Sequence, residues 1–335
     1  MGENMIRFLT LLLAACSLLG AGASTSVRAQ DRYPNKPIRI IVPFPAGGVM
    51  DPLTRSIGQY LAESLGQPVL VENRPGATGV VGLNICAKSA PDGYTLCAIS
   101  SDSLSVVPFL VASLPYDPEQ DFSAIAQLVY VRAILVANSR ANLNSFGEMV
   151  AYAKANPGKL NFSSFGEGGA GHQALEIIKR ATGTSITHVP YKGAGPAIQA
   201  VVAGEVELSL STPPVVLPHI RSGRLKPLAL PGDQRMPILP DVPTYKELGI
   251  DLELRSWFGL IGPANIPRDI VNRLNAEIVK TLNSSVYREK FLEPSYYEAT
   301  SGTAAQFAEL MKVHRIWGRQ IADLLKDAGY KAPQQ

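Results

Sequence analysis

The sequence predicts a two-lobed α/β protein with largely parallel sheets, and three observations carry that prediction. Short apolar, strand-like runs alternate with amphipathic helical stretches along the chain. A layout of strand, glycine-rich turn, helix, strand, glycine-rich turn, helix occurs twice in succession, although the residues themselves do not align. The 335 residues, 46% hydrophobic and 18% charged, suffice for two domains with their own cores.

In the first set, residues 38–44 (IRIIVPF) read as a buried strand. Residues 51–65 follow as a helix, with Leu53, Ile57, Leu61 and Leu65 on one stripe. Asp51 suits the N-cap and Pro52 the first helical position, where a missing N–H costs nothing. Residues 68–72 form the next strand, 77–88 the next helix and 94–100 a third strand, after a Pro91-Asp92-Gly93 turn. The second set predicts strands at 133–138, 160–165, 186–191, 206–210 and 225–230, with helices at 146–155, 171–181, 196–203 and 214–221. A third stretch carries helices at 267–282, 286–291 and 303–327 and is too poor in strands to build a sheet, so it is expected to return to the first lobe.

The amino terminus has the three-part layout of an export signal: Arg7, an apolar run from Phe8 to about Leu19, and Val27-Arg28-Ala29 before Gln30. Residues 1–29 therefore read as a cleaved signal peptide, and the mature protein as periplasmic. Leu13-Ala14-Ala15-Cys16 also resembles a lipoprotein processing box, so lipid anchoring at Cys16 is the alternative. No later segment reaches the ~18 apolar residues of a spanning helix. Cys86 and Cys97 remain; in an oxidising compartment they either pair or serve as two small buried hydrophobes.

Several chemistries are excluded. A net charge of +3 with scattered basic residues does not suit nucleic acid. Gly166, Gly168 and Gly171 satisfy the spacing of a dinucleotide fingerprint, but Pro190, Tyr191 and Lys192 stand where its acidic residue belongs. Neither a phosphate-binding GxxxxGK[ST] loop nor a GxSxG nucleophile elbow occurs. His172, His188, His219 and His314 lack metal-ligand spacing, and no CxxC is present. The expectation is no cofactor, no metal and no catalytic residue.

The glycine-rich turns, residues 45–48, 75–79, 166–171 and 192–196, are more telling. Beyond the carboxyl ends of strands, such turns let backbone N–H groups approach a ligand, and the following helix favours an anion. His172 either enters the cleft or bonds the loop before it, and Asp51 is either a cap or a contact.

The segments, in order, resemble the substrate-binding receptors of tripartite tricarboxylate transporters, the Bug family. The resemblance rests on Tyr33-Pro34, residues 36–39 (KPIR), 42–48 (VPFPAGG) with Asp51, 71–77 (VENRPGA), 90–96 (APDGYTL), 166–172, 188–193 (HVPYKG), 239–244 (LPDVPT) and 256–260 (SWFGL). It implies a type II periplasmic-binding-protein (Venus-flytrap) fold of two Rossmann-like lobes, joined by crossovers near 130–134 and 253–257. The lobes would be 30–132 plus 256–335, and 133–255. It implies a small carboxylate ligand (a di- or tricarboxylate, an amino acid or an aromatic carboxylate) held by Phe44, Ala46, Gly47, Gly48, Ala77 and Thr78 on one lobe, and by Ser164, Gly166, Gly168, Gly169, His172, Tyr191 and Ser211 on the other; Asp51 and Ser100 complete the candidate set. Membrane permease subunits are the implied partner, a sensor kinase the alternative, a hydrolase a third reading, and a monomer the implied state. Four features depart from the family pattern. Gly169 stands where a hydroxyl is usual, Glu167 where a neutral residue is usual, Glu207 is one methylene longer than the usual acidic residue of its strand, and Ser211-Thr212-Pro213-Pro214 replaces a more polar run. A carboxylate at Glu167 repels an anionic ligand unless it faces solvent or pairs with a cationic group.

Overall fold

The computed structural model describes residues 33–250, 252 and 256–330, and its fold lies within residues 36–335. The export signal, Cys16 and Gln30 lie outside the described residues. The first sheet comprises β1 (Ile38–Val42), β2 (Val69–Asn73), β3 (Thr95–Ser100), β4 (Phe122–Val131), β10 (Ser256–Pro263) and β11 (Glu298–Ala299), in the order β11-β4-β10-β3-β1-β2. The second comprises β5 (Ile134–Asn138), β6 (Asn161–Ser164), β7 (Thr187–Pro190), β8 (Leu208–Ser211) and β9 (Leu225–Ala229), in the order β7-β6-β8-β5-β9.

The two layouts are the same at the level of topology. In each, a first strand pairs in parallel with the two that follow it, β1 with β2 and β3, and β6 with β7 and β8. In each, an antiparallel strand then lies beside the third: β10 against β3, and β5 against β8. The sheets are thus mixed, which corrects the expectation of largely parallel ones. The physical reason is the double crossing of the chain. Strand β4 leaves the first sheet, Arg132 and Ala133 intervene, and β5 enters the second. On the return, β10 enters the middle of the first sheet, antiparallel to both β3 and β4. The second expected crossover, near 253–257, falls in part on residues 253–255, which lie outside the described residues.

Helices cover the sheets: α1 (Met50–Leu65), α2 (Val80–Ala87), α3 (Ser101–Ser105), α4 (Val107–Leu110), α5 (Phe146–Ala155), α6 (Ala170–Thr182), α7 (Ala194–Ala203), α8 (Pro213–Arg221), α9 (Arg268–Asn283) and α10 (Ala304–Asp327). The α1 stripe is buried as its spacing requires, with Leu53, Ile57, Leu61 and Leu65 all in the core. Helix α1 starts one residue earlier than expected, at Met50, so Asp51 lies inside the first turn and Pro52 still occupies a position whose N–H has no intrahelical partner. The predicted helix over 77–88 begins regularly only at Val80, because Ala77 (φ 45°), Thr78 (φ 51°) and Gly79 (φ 99°) are left-handed. Residues 286–291 form short irregular helical turns instead of one helix.

Cys86 at the end of α2 and Cys97 in β3 form a disulfide, with Cα atoms 6.2 Å apart. Both are fully buried beside Trp257 and Phe307, whose rings meet edge to face at 5.1 Å. No described helix is long and apolar enough to cross a membrane.

Candidate ligand site

Because β1 and β3 run parallel, as do β6 and β8, the carboxyl ends of all four deliver their following loops to one edge of each sheet. The loops from the two sheets meet there. A Cβ on Gly193 would lie 3.6 Å from the Pro45 ring, and one on Gly166 3.6 Å from Thr78 Oγ1. Thr78 Oγ1 donates to the Glu167 carbonyl at 3.5 Å. A Cβ on Gly79 would touch Ser103, Pro43 and Phe44, which fixes the three loops of the first sheet against each other. All four glycine-rich turns converge.

Each loop is shaped by its own hydrogen bonds. Asp51, 6% exposed, accepts from the Gly47 amide (3.0 Å), Asn73 Nδ2 (2.9 Å) and Arg55 Nη2 (3.0 Å). Burial pushes its carboxyl up, but the bonds from Gly47, Arg55 and Asn73 together hold it below the ordinary value. Asp51 is a brace under the first loop. The Gly48 amide donates to the Pro45 carbonyl (3.3 Å) and the Gly169 amide to Gly166 (3.4 Å). These amides, with those of Gly47 and Gly168, are engaged within the protein. Phe44 is half-buried and Ala46 exposed. Ser100 ends β3, with its Oγ 2.9 Å from Ser103 Oγ. The Tyr191 amide donates to the Ser164 carbonyl at 2.8 Å, so Tyr191 continues the β6–β7 pairing. Ser211 Oγ and Thr212 Oγ1 are buried at the end of β8 with no hydrogen-bond partner among the described residues, which leaves two hydroxyls available beside the β6 loop.

A cluster that sequence spacing did not reveal lies under the third loop. His172 and His188 stack with ring centroids 3.9 Å apart at an interplanar angle of 14°. Glu167 Oε2 lies 3.3 Å from His172 Nδ1 and 3.9 Å from His188 Nδ1. The Gly168 amide donates to His172 Nδ1 (3.2 Å), and Ser164 Oγ sits 2.7 Å from His188 Nε2. Burial, aided by the neighbouring His188 and Lys179, pulls His172 down to about 3; burial and Lys179 pull His188 down to about 4. Both rings are neutral near pH 7, so the Glu167–His172 approach is no ion pair there. Burial raises Glu167 itself.

Ser164, His188 and Glu167 stand in the order of a nucleophile, a base and an acid, but the geometry is structural. Ser164 is 1% exposed and its hydroxyl donates to the Gly166 carbonyl at 3.0 Å. The 3.9 Å separation of His188 and Glu167 exceeds a hydrogen bond.

Asp102, also missed, follows the third strand of the first sheet and caps a helix of the second. It is 8% exposed, and its Oδ2 accepts from the Ala170 amide, the first of α6, at 3.2 Å. Burial raises its carboxyl, opposed by bonds from the Ser101 hydroxyl and the Ala170 amide. The sequence signal was faint, an acidic residue among serines (SSDS) just after β3.

Another cavity lies elsewhere. About 730 Å³ opens beside the crossing strands, lined by Arg132, Asp233, Lys246 and Glu298 among others. Its charges pair with one another, Arg132 Nε with Glu298 (2.6 Å) and Lys246 with Asp233 (2.7 Å), and it contains none of the candidate residues. The converging glycine loops, built on strand ends, are the better site.

Comparison with known proteins fits this architecture. Residues 53–324 match the model of the tripartite tricarboxylate transporter family receptor. The chain belongs to that family. It is 39% identical to Protein BugT of Bordetella pertussis (strain Tohama I) over 86% of this chain and 88% of that one. Among solved structures it is similar to R. palustris Rpa4515 with adipate (TM-score 0.83, 29% identity, 87% of this chain and 98% of that one). It is also similar to MatC from Rhodopseudomonas palustris with bound malate (TM-score 0.80, 28% identity, 87% and 100%). The two-lobed type II fold expected from the sequence is the fold of these relatives.

Proposed function

We propose that this receptor works in the periplasm, closing its lobes on a small organic carboxylate and passing it unaltered to membrane permease subunits. The observation that carries the reading is the meeting of four glycine-rich turns from two separate sheets at the carboxyl ends of their parallel strands. A ligand touching both sets of loops stabilises the closed arrangement over the open one, and the closed surface is what a permease reads. The lobes are taken as 30–132 plus 256–335 and 133–255, and residues 1–29 as the export signal. Phe44, Ala46, Ala77, Thr78, Ser100, Gly166 and Ser211 are the contacts the loop geometry favours. Adipate and malate in two relatives support a carboxylate as ligand class.

The test is a thermal-shift screen of the chain from Gln30 onward against carboxylates, amino acids and aromatic acids. At a hundredfold excess over its dissociation constant, a ligand of the native state adds about 2.7 kcal/mol of stability. The expected result is a clear shift with one class of acid and quantitative recovery of that acid unchanged. Conversion of the acid into a product, or the absence of any shift, contradicts the proposal.

A further inference from the structure

The third loop is poorly suited to the second carboxylate of a diacid, and the reasons are geometric. The amino end of α6, the place where the fold offers a helix dipole to an anion, is already capped by the Asp102 carboxylate from the opposite sheet. Glu167 sits in the same loop, its side chain 35% exposed. No Lys or Arg occurs in residues 43–48, 76–79, 100–110, 164–172 or 211–214; Lys192 is the one basic residue on the converging turns.

Proton positions sharpen the point. In the tautomer in which the Ser164 hydroxyl donates to the Gly166 carbonyl (3.0 Å), His188 Nε2–H donates to Ser164 Oγ and His188 Nδ1 keeps its lone pair. His172 Nδ1 accepts from the Gly168 amide and likewise carries no proton. Glu167 Oε2 and both Nδ1 atoms converge within 4.8 Å of each other, and the Gly168 amide already fills the one in-plane lone pair of His172 Nδ1, so Glu167 Oε2 and His188 Nδ1 are the acceptors left open. A single metal ion does not satisfy them as they stand. Each imidazole binds a metal in its own ring plane, and these planes are stacked nearly parallel, 3.9 Å apart between centroids. An ammonium has three donors and no such planar demand.

We propose that the ligand of this receptor carries a protonated nitrogen beside its carboxylate, seated by Glu167 Oε2 and the Nδ1 lone pair of His188, while Asp102 closes the end of α6 to a second carboxylate. This rests on the solute-binding reading above and narrows it to zwitterionic acids.

Calorimetry on isosteric pairs tests it: malate against aspartate, 2-hydroxyglutarate against glutamate, and 3-phenyllactate against phenylalanine. Within the pair that binds, the amino acid is expected to be tighter by at least about tenfold, the scale of one charge-assisted hydrogen bond. Glu167→Gln is expected to shrink or reverse that ratio while the melting temperature stays near the wild-type value. If the Gln variant does not fold, Glu167→Ser is measured in its place. A hydroxy acid that binds as tightly as its amino partner, a ratio unmoved by the Glu167 variant, or binding confined to nitrogen-free acids such as adipate overturns this inference and leaves the carboxylate receptor standing. Stabilisation by zinc chloride alone that disappears in His188→Asn reassigns the cluster to a metal and likewise overturns it. No binding by any acid removes the receptor reading, and this inference with it.

Discussion

His172 and His188 lie against each other as neutral rings, 6% exposed in the first case and half-buried in the second. An unfolded histidine takes up its proton near pH 6.5, whereas these two wait until about 3 and about 4. Between those limits the unfolded chain binds more protons, so their burial costs stability as the pH falls. Glu167 and Asp102, both raised by burial, act with the opposite sign and lose stability as the pH rises. His172→Gln isolates the first effect. Urea unfolding at pH 7, 6 and 5 is expected to show a fall in stability between pH 6 and 5 that is shallower than wild type by up to about 1 kcal/mol. Parallel profiles contradict it. Thr78, a β-branched residue at φ 51°, is the other local anomaly, a conformation that costs about 1 kcal/mol or more and stands at the point where the two sheets' loops touch.

At the scale of elements, α10 decides how the first sheet's loops are held. Thr303 and Gln306 close a capping box at its start, so the helix begins where the sequence placed it. Ile321, Ala322 and Leu325 then pack with Val106 and Leu110, and Ile177 of α6 joins that cluster from the second sheet. Gly318 makes the approach possible: a Cβ there would overlap the Ser105 carbonyl of α3, a backbone group that cannot swing away. Gly318→Ala is therefore expected to destabilise the protein by about 1–3 kcal/mol in urea unfolding, although alanine is the better helix former. An unchanged or raised midpoint means that α3 shifts without cost.

For the whole molecule, the contact that matters is the one between Asp102 and the amino end of α6. It joins the two sheets without a ligand and so biases the opening equilibrium on its own. Loss of a capping carboxylate costs about 1 kcal/mol. Asp102→Ala is expected to show that loss in unfolding and a larger radius of gyration by X-ray scattering for the ligand-free protein. If both quantities match wild type, the contact does not hold the sheets together.

The order of strands, glycine turns and helices was legible in the sequence because each depends on local chemistry. The α1 stripe repeats every four residues, and the turns carry glycine where the backbone must bend. The family was legible for the same reason, since its motifs are these loops. What tertiary structure alone decided is who meets whom. The central place of β10, the stacking of His172 on His188, and the reach of Asp102 to Ala170 join residues 16 to 164 positions apart, and no periodicity links such partners. Asp51 illustrates the boundary: its neighbours suggested an N-cap, but it sits inside the first turn, and its bonds to Gly47 and Asn73 depend on a loop and a strand coming together. Local propensity fixes where elements begin and end, and only packing fixes which side chains meet.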